Sequence, residues 1–181
     1  MDAIVHNAGV FADAQRFPTP EGHPRTLAVN VLAPYLLTAL IQRPDRLVYL
    51  SSGMHRSGDT TLRDLDWTER RWDPTQAYSD SKLLVTAQAF GVARRGPAVH
   101  SNAVDPGWVP TRMGGPGAPD NLEQGHVTQV LLATGDPSMA DESGALWHHQ
   151  RPQQAAAMTS DPDFQDRLID TLARITGVPL P

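Results

Sequence analysis

Tyr78 and Lys82 stand four residues apart in the segment Ala77-Tyr78-Ser79-Asp80-Ser81-Lys82. On a helix this spacing places both side chains on one face, one turn apart. A phenol with a pKa of about 10 is a poor acid or base near neutrality, but a neighbouring ammonium favours the phenolate and lowers that value. The pair could then pass a proton to or from a substrate oxygen. Lys82 is the only lysine, all the other members of the 15 lysines and arginines being arginine. A lone lysine in such a chain suggests a position that needs a compact ammonium rather than a guanidinium fork. Tyr-x-x-x-Lys by itself is a weak motif that helices show by chance, so its surroundings decide.

Upstream, Leu47-Val48-Tyr49-Leu50-Ser51-Ser52 is an apolar run ending in two hydroxyls. It reads as a buried strand that delivers serines to its carboxyl end, the end at which open α/β sheets bind ligands. Asn7-Ala8-Gly9 follows the short run Ala3-Ile4-Val5, and Asn30 lies in a long apolar helix. Pro34, four residues after Asn30, has no N–H to give to the Asn30 carbonyl, which frees a backbone acceptor or simply kinks the helix. Downstream, Pro106-Gly107-Trp108-Val109-Pro110-Thr111 leaves another strand-like run.

In order and spacing, the set Asn-Ala-Gly, Asn, Ser-Ser, Tyr-x-x-x-Lys and Pro-Gly resembles the catalytic half of the short-chain dehydrogenase/reductase family. The resemblance implies a Rossmann-like parallel sheet with flanking helices and a hydride-transfer reaction between a carbonyl and an alcohol. It implies that Tyr78 is the acid/base, that Ser52 rather than Ser51 hydrogen-bonds the reacting oxygen, and that Asn30 and Lys82 complete the catalytic set, a water on the Asn30 carbonyl relaying protons to Lys82. It places Asn7, Ala8, Gly9, Tyr78, Lys82, Pro106, Gly107, Val109 and Thr111 against NADP or NAD. Trp108 and Met113 are candidates for a substrate wall.

The twenty-five residues between Ser52 and Tyr78 are a longer insert than in compact members and resemble the retinol dehydrogenase and protochlorophyllide reductase-like branch. That branch implies NADP and bulky apolar carbonyls or alcohols. Family members open with a Thr-Gly-x-x-x-Gly-x-Gly turn that holds the cofactor pyrophosphate at a helix N-terminus, and nothing before Asn7 matches it. The resemblance therefore covers nearly all of this chain but about the last two-thirds of a complete enzyme, and the fold is expected to be N-terminally truncated. Gly114-Gly115-Pro116-Gly117 lacks a strand-turn-helix context and is expected to be a flexible loop near substrate. Two alternatives follow. One is a non-catalytic binding or dimerisation module using the helices that carry Asn30 and Tyr78. The other is a relative of NAD-dependent epimerases, against which stands the absence of their longer C-terminal region.

The 181 residues, 40% of them hydrophobic, are expected to form a single domain. A formal net charge of −5 leaves no basic stripe for nucleic acid. Without cysteine there are no disulfides or thiolate metal sites. His148-His149 is expected to point to opposite faces of a strand, which disfavours a metal. No run approaches the roughly 20 apolar residues of a membrane span, and no signal peptide is visible, so a cytoplasmic location is expected. A homo-oligomer is possible.

Strand-like and helical patterns alternate, the mark of parallel α/β winding. Strands are expected at residues 3–6, 47–51 and 99–104, with a last edge strand at 145–148. Helices are expected at 24–42, 76–94, 121–133 and 161–175, the last opening with Asp161-Pro162.

Overall fold

The structure, a computed structural model, describes residues 2–11, 13–139 and 141–181. Its sheet has five strands in sequence order: β1 (Ala3–His6), β2 (Arg46–Leu50), β3 (His100–Asp105), β4 (Leu146–His148) and β5 (Arg151–Gln153). The first four are parallel, and β5 returns antiparallel to β4. Helices α1 (Arg25–Leu27), α2 (Ala33–Leu40), α3 (Pro74–Arg95), α4 (Val127–Thr134) and α5 (Pro162–Thr176) complete the fold. Among the described residues no helix is long and apolar enough to cross a membrane.

The period-two alternation of a strand assigns its faces. On β2, Leu47 and Tyr49 pack with Val85, Ala89 and Phe90 of α3, while Val48 packs with Leu132 of α4 and Trp147 of β4. α3 thus covers one face and α4 the other, which leaves β2 buried on both sides as a parallel strand must be. A second cluster joins Val31, Tyr35, Leu83, Leu84 and Ala87 to Phe164, Leu168 and Leu172 of α5. Residues 77–92 of α3 are all buried. Its outer face is taken by α5. The helix starts where Asp73 accepts hydrogen bonds from the Thr75 and Gln76 amides, with Pro74 in the first turn, a strong start signal.

The expected helix 24–42 is observed with a defect at its middle. Between α1 and α2, Ala28–Leu32 is π-helical, and the Ala33 N–H reaches back to the Ala28 carbonyl. Pro34 cannot supply the N–H that Asn30 would receive in an α-helix, and a π-bulge is one way a helix absorbs such a lost bond.

Two expectations on the C-terminal half differ. Helix 121–133 begins only at Val127. Before it, Asn121, Leu122 and Gln124 carbonyls take three-residue turns, and the Asn121 side chain accepts the Glu123 amide, the local competition that keeps Asn out of helices. Strand 145–148 is not the edge. Its hairpin turns through His149 and Gln150, both at positive φ (46° and 59°), the requirement of a type I′ turn, but without the Asn-Gly that marks one in sequence. Arg151, Pro152 and Gln153 of β5 are exposed.

The insert before α3 is clamped to it. Arg70 lies 3.6 Å over the Trp67 ring and binds the buried Asp80 of α3 at 2.8 Å, while Trp72 donates to the Asp13 carbonyl at 2.9 Å. Gly58 crosses α3 so closely that a Cβ there would stand 2.5 Å from Leu83 Cβ and 2.8 Å from the Ser79 carbonyl oxygen. Neither partner is a flexible side-chain end. Gly58→Ala should therefore destabilise the fold by about 1–3 kcal/mol, read as a lower midpoint in urea unfolding. An unchanged midpoint would mean that the insert can lift off α3 at no cost.

Candidate active site

β2 ends at Leu50, and the two serines that follow divide. Ser51 turns into the core, its hydroxyl 2.7 Å from that of Thr86 on α3, and its amide bonds the Val104 carbonyl. Ser52 lines a cleft at the carboxyl ends of β1 to β4 and caps the 3₁₀ turn Gly53–Ser57 by accepting the Met54 amide at 3.3 Å.

Tyr78 and Lys82 project from α3 into this cleft. The Tyr78 side chain shares this cleft with Ser52, and Phe11 packs on the Tyr78 ring edge-to-face, centroids 4.6 Å apart. Lys82 is 4% exposed. Its Nζ lies 5.4 Å from the Tyr78 ring centroid and donates to the Leu50 carbonyl at 2.6 Å. Asn30, also buried, is a step behind. Its amide clamps Val10 through both backbone groups, at 2.9 and 3.0 Å, and donates to the Ser81 hydroxyl at 2.9 Å. A Cβ on Gly9 would stand 3.6 Å from Asn30 Oδ1 and 3.7 Å from Lys82 Nζ, so the Asn-Ala-Gly segment lies directly over both.

The electrostatics depart from the simple expectation. Burial pushes the Tyr78 phenol above its ordinary value, the Ser52 side chain opposes this, and the Asp105 carboxylate adds to it. The ammonium that was expected to lower it is itself desolvated and engaged with Leu50. Tyr78 is thus favoured as the neutral phenol. Burial brings Lys82 down to about 8, with Asp105 pulling the other way.

The third side of the cleft is the loop after β3. Asp105 Oδ1 accepts the Gly107 amide at 3.0 Å. Gly107 has φ +84°, so its conformation demands glycine. Asp120 returns to accept the Trp108 amide at 2.5 Å. Gly114, from the glycine-rich stretch, packs against this loop, its missing Cβ only 2.1 Å from the Val109 carbonyl oxygen, and its amide donates to Thr111 Oγ1 at 3.1 Å.

Of the residues singled out in the sequence, Asn7, Gly9, Ser52, Tyr78, Lys82, Pro106, Gly107, Val109 and Thr111 line one cleft of about 990 Å³. Ala8 is exposed and Asn30 is buried behind the wall. Sequence reasoning did not assign Phe11, Asp105 or Gln129 to a site and weighed His148 only as a metal ligand, yet all four also line it. Asp105 directly precedes the Pro106–Thr111 segment, whereas nothing in spacing pointed to the others. His148 and His149 do not point apart as expected. The left-handed turn brings the His149 ring onto that of His148, centroids 4.0 Å apart at 14°. Among the described residues no group of three or more histidines and carboxylates is placed to hold a metal.

No protein-family model matches the chain. The short-chain dehydrogenase chry4 of Gibberella zeae, however, is 34% identical over 183 residues, a match covering 99% of this chain and 70% of the relative. The chain belongs to the short-chain dehydrogenase/reductase family. Human retinol dehydrogenase 13 is 28% identical over 210 residues, covering all of this chain and 62% of that protein. Among solved structures, an uncharacterised protein from Mycobacterium paratuberculosis superposes with a TM-score of 0.77 at 23% identity, over 99% of this chain and 68% of that one. The chain is thus an oxidoreductase by family, with a Rossmann-like sheet.

The Lys82 shift has a measurable sign. Between about pH 8 and 10.5, the folded and ordinary values, the unfolded chain holds the proton that the folded chain releases, so stability rises with pH across that window. Below it both states are protonated and the cost of the buried ammonium is constant. Lys82→Met removes the titration. Its stability advantage over the wild-type chain in urea unfolding should shrink as pH rises from about 8 to 10. A constant difference would show that burial does not shift this ammonium.

Proposed function

We propose that this chain interconverts a bulky apolar carbonyl compound and its alcohol with NADP, or NAD, as hydride carrier. The observation that carries the reading is the convergence of Ser52, Tyr78 and the buried ammonium of Lys82 on one cleft at the carboxyl edge of the sheet.

The residues present fit the nicotinamide end of such a cofactor. An ammonium has three donors, Leu50 takes one, and two are left for ribose hydroxyls. Asn7, Gly9 and the Pro106–Thr111 loop present backbone and small side chains around the same space. A bound nicotinamide supplies the hydride.

In the reductive direction the substrate oxygen accepts hydrogen bonds from Ser52 and Tyr78. As hydride adds to the carbonyl carbon, the C=O π pair moves to oxygen and takes the Tyr78 proton, which leaves a phenolate that is reprotonated from solvent. Ser52 stabilises the charge that develops on that oxygen, and Lys82 stabilises the phenolate. The raised phenol favours this donor role in the resting site. Asn30 holds Val10 and Ser81, and through them the floor on which Lys82 stands. The mouth carries Phe11, Trp108, Met113 and Leu122, all large apolar side chains at least a third exposed, a surface suited to an apolar substrate.

Tyr78→Phe should lower kcat for NADPH-dependent carbonyl reduction by about 10²–10⁴-fold, with the Kd for NADPH, followed by nucleotide fluorescence, changed little. Turnover close to that of the wild-type chain would remove Tyr78 from the proton-transfer role.

A further inference from the structure

His55 is fully buried, three residues after Ser52 on the 3₁₀ turn that Ser52 caps. Each ring nitrogen has a single partner. Nε2 accepts the Ala156 amide at 3.1 Å and so carries no proton. Nδ1 therefore carries it, and donates to the Ser52 carbonyl at 2.7 Å. This fixes a neutral imidazole in one tautomer, and burial supports it by pushing the His55 pKa down. The Ser52 carbonyl also accepts the His55 amide at 3.0 Å, so both of its lone pairs are used. Beyond the ring, Thr159 donates to the Ala156 carbonyl, and Gln165 of α5 donates to the Thr159 carbonyl at 2.8 Å.

We propose that His55 is a positioning residue that sets the direction of the Ser52 hydroxyl and ties it, through Ala156, to the segment leading into α5. The proposal rests on the role of Ser52 given above. Ser52 sits where a strand becomes a turn. Its rotamer follows its backbone, and a hydroxyl displaced by about 1 Å from the reacting oxygen can cost on the order of 10²-fold in rate. The imidazole holds that backbone from below without touching substrate, and the hold originates about a hundred residues further along the chain.

Asparagine and glutamine separate the two bonds, because the Asn amide nitrogen falls near Nδ1 and the Gln amide oxygen near Nε2. In the 181-residue chain, His55→Ala and His55→Gln should lower kcat about 10–100-fold for NADPH with an aromatic aldehyde as probe, with KM close to wild type. They should also accelerate hydrogen exchange at the Met54 and His55 amides, which close on Ser52. His55→Asn should restore both. The proposal is overturned if Met54 and His55 exchange is unchanged in His55→Ala, or if kcat per folded molecule is unaffected by all three substitutions. If the wild-type chain shows no turnover with the probe, the reading that this chain carries out the reaction fails on its own, and amide exchange alone decides whether His55 holds the Ser52 turn.

Discussion

The buried ammonium of Lys82 and its bond to the Leu50 carbonyl hold the central helix in register with the central strand. A charge taken out of water must find partners, and the last carbonyl of β2 is one that no further strand residue claims. That contact fixes where α3 sits along the sheet, and with it the height of Tyr78 over Ser52. Most other polar residues on the buried length of α3 obey the same requirement. Ser79 donates to the Thr75 carbonyl, Ser81 joins Tyr78 and Asn30, and Thr86 joins Lys82 and Ser51. Gln88 of the same helix, fully buried, is the exception, because neither atom of its amide has a hydrogen-bond partner.

Around this axis the chain places its supports at long sequence separation. Asn30 braces the loop after β1, the insert is clamped onto α3 through Arg70, and α5 closes the remaining face. The π-turn before Pro34 belongs to the same set, because it lets one helix carry both Asn30 and a proline without breaking.

Much of this was legible in the residues. The parallel order of the first strands followed from alternating patterns. Asp161-Pro162 marked the start of α5. Other features were hidden because they depend on distance in space. The environment of Tyr78 is set by burial and by Asp105, neither of which is encoded in the four-residue spacing to Lys82. His55 gave no signal because its partner lies a hundred residues away. The β4–β5 hairpin was missed because His149-Gln150 adopts a conformation that sequence associates with Asn-Gly, and because Pro152 argues against a strand.

That hairpin gives the sheet two unlike margins. At β5 the outer strand runs backward and is short. It contains a proline that cannot donate to a neighbour, and it is flanked by an arginine and a glutamine facing water, so it is a poor template for further pairing. At β1 the margin runs with the parallel strands, and Val5 on it is 39% exposed. Growth of this sheet is consequently directional, terminated on one side by chemistry and receptive on the other to a strand of matching polarity.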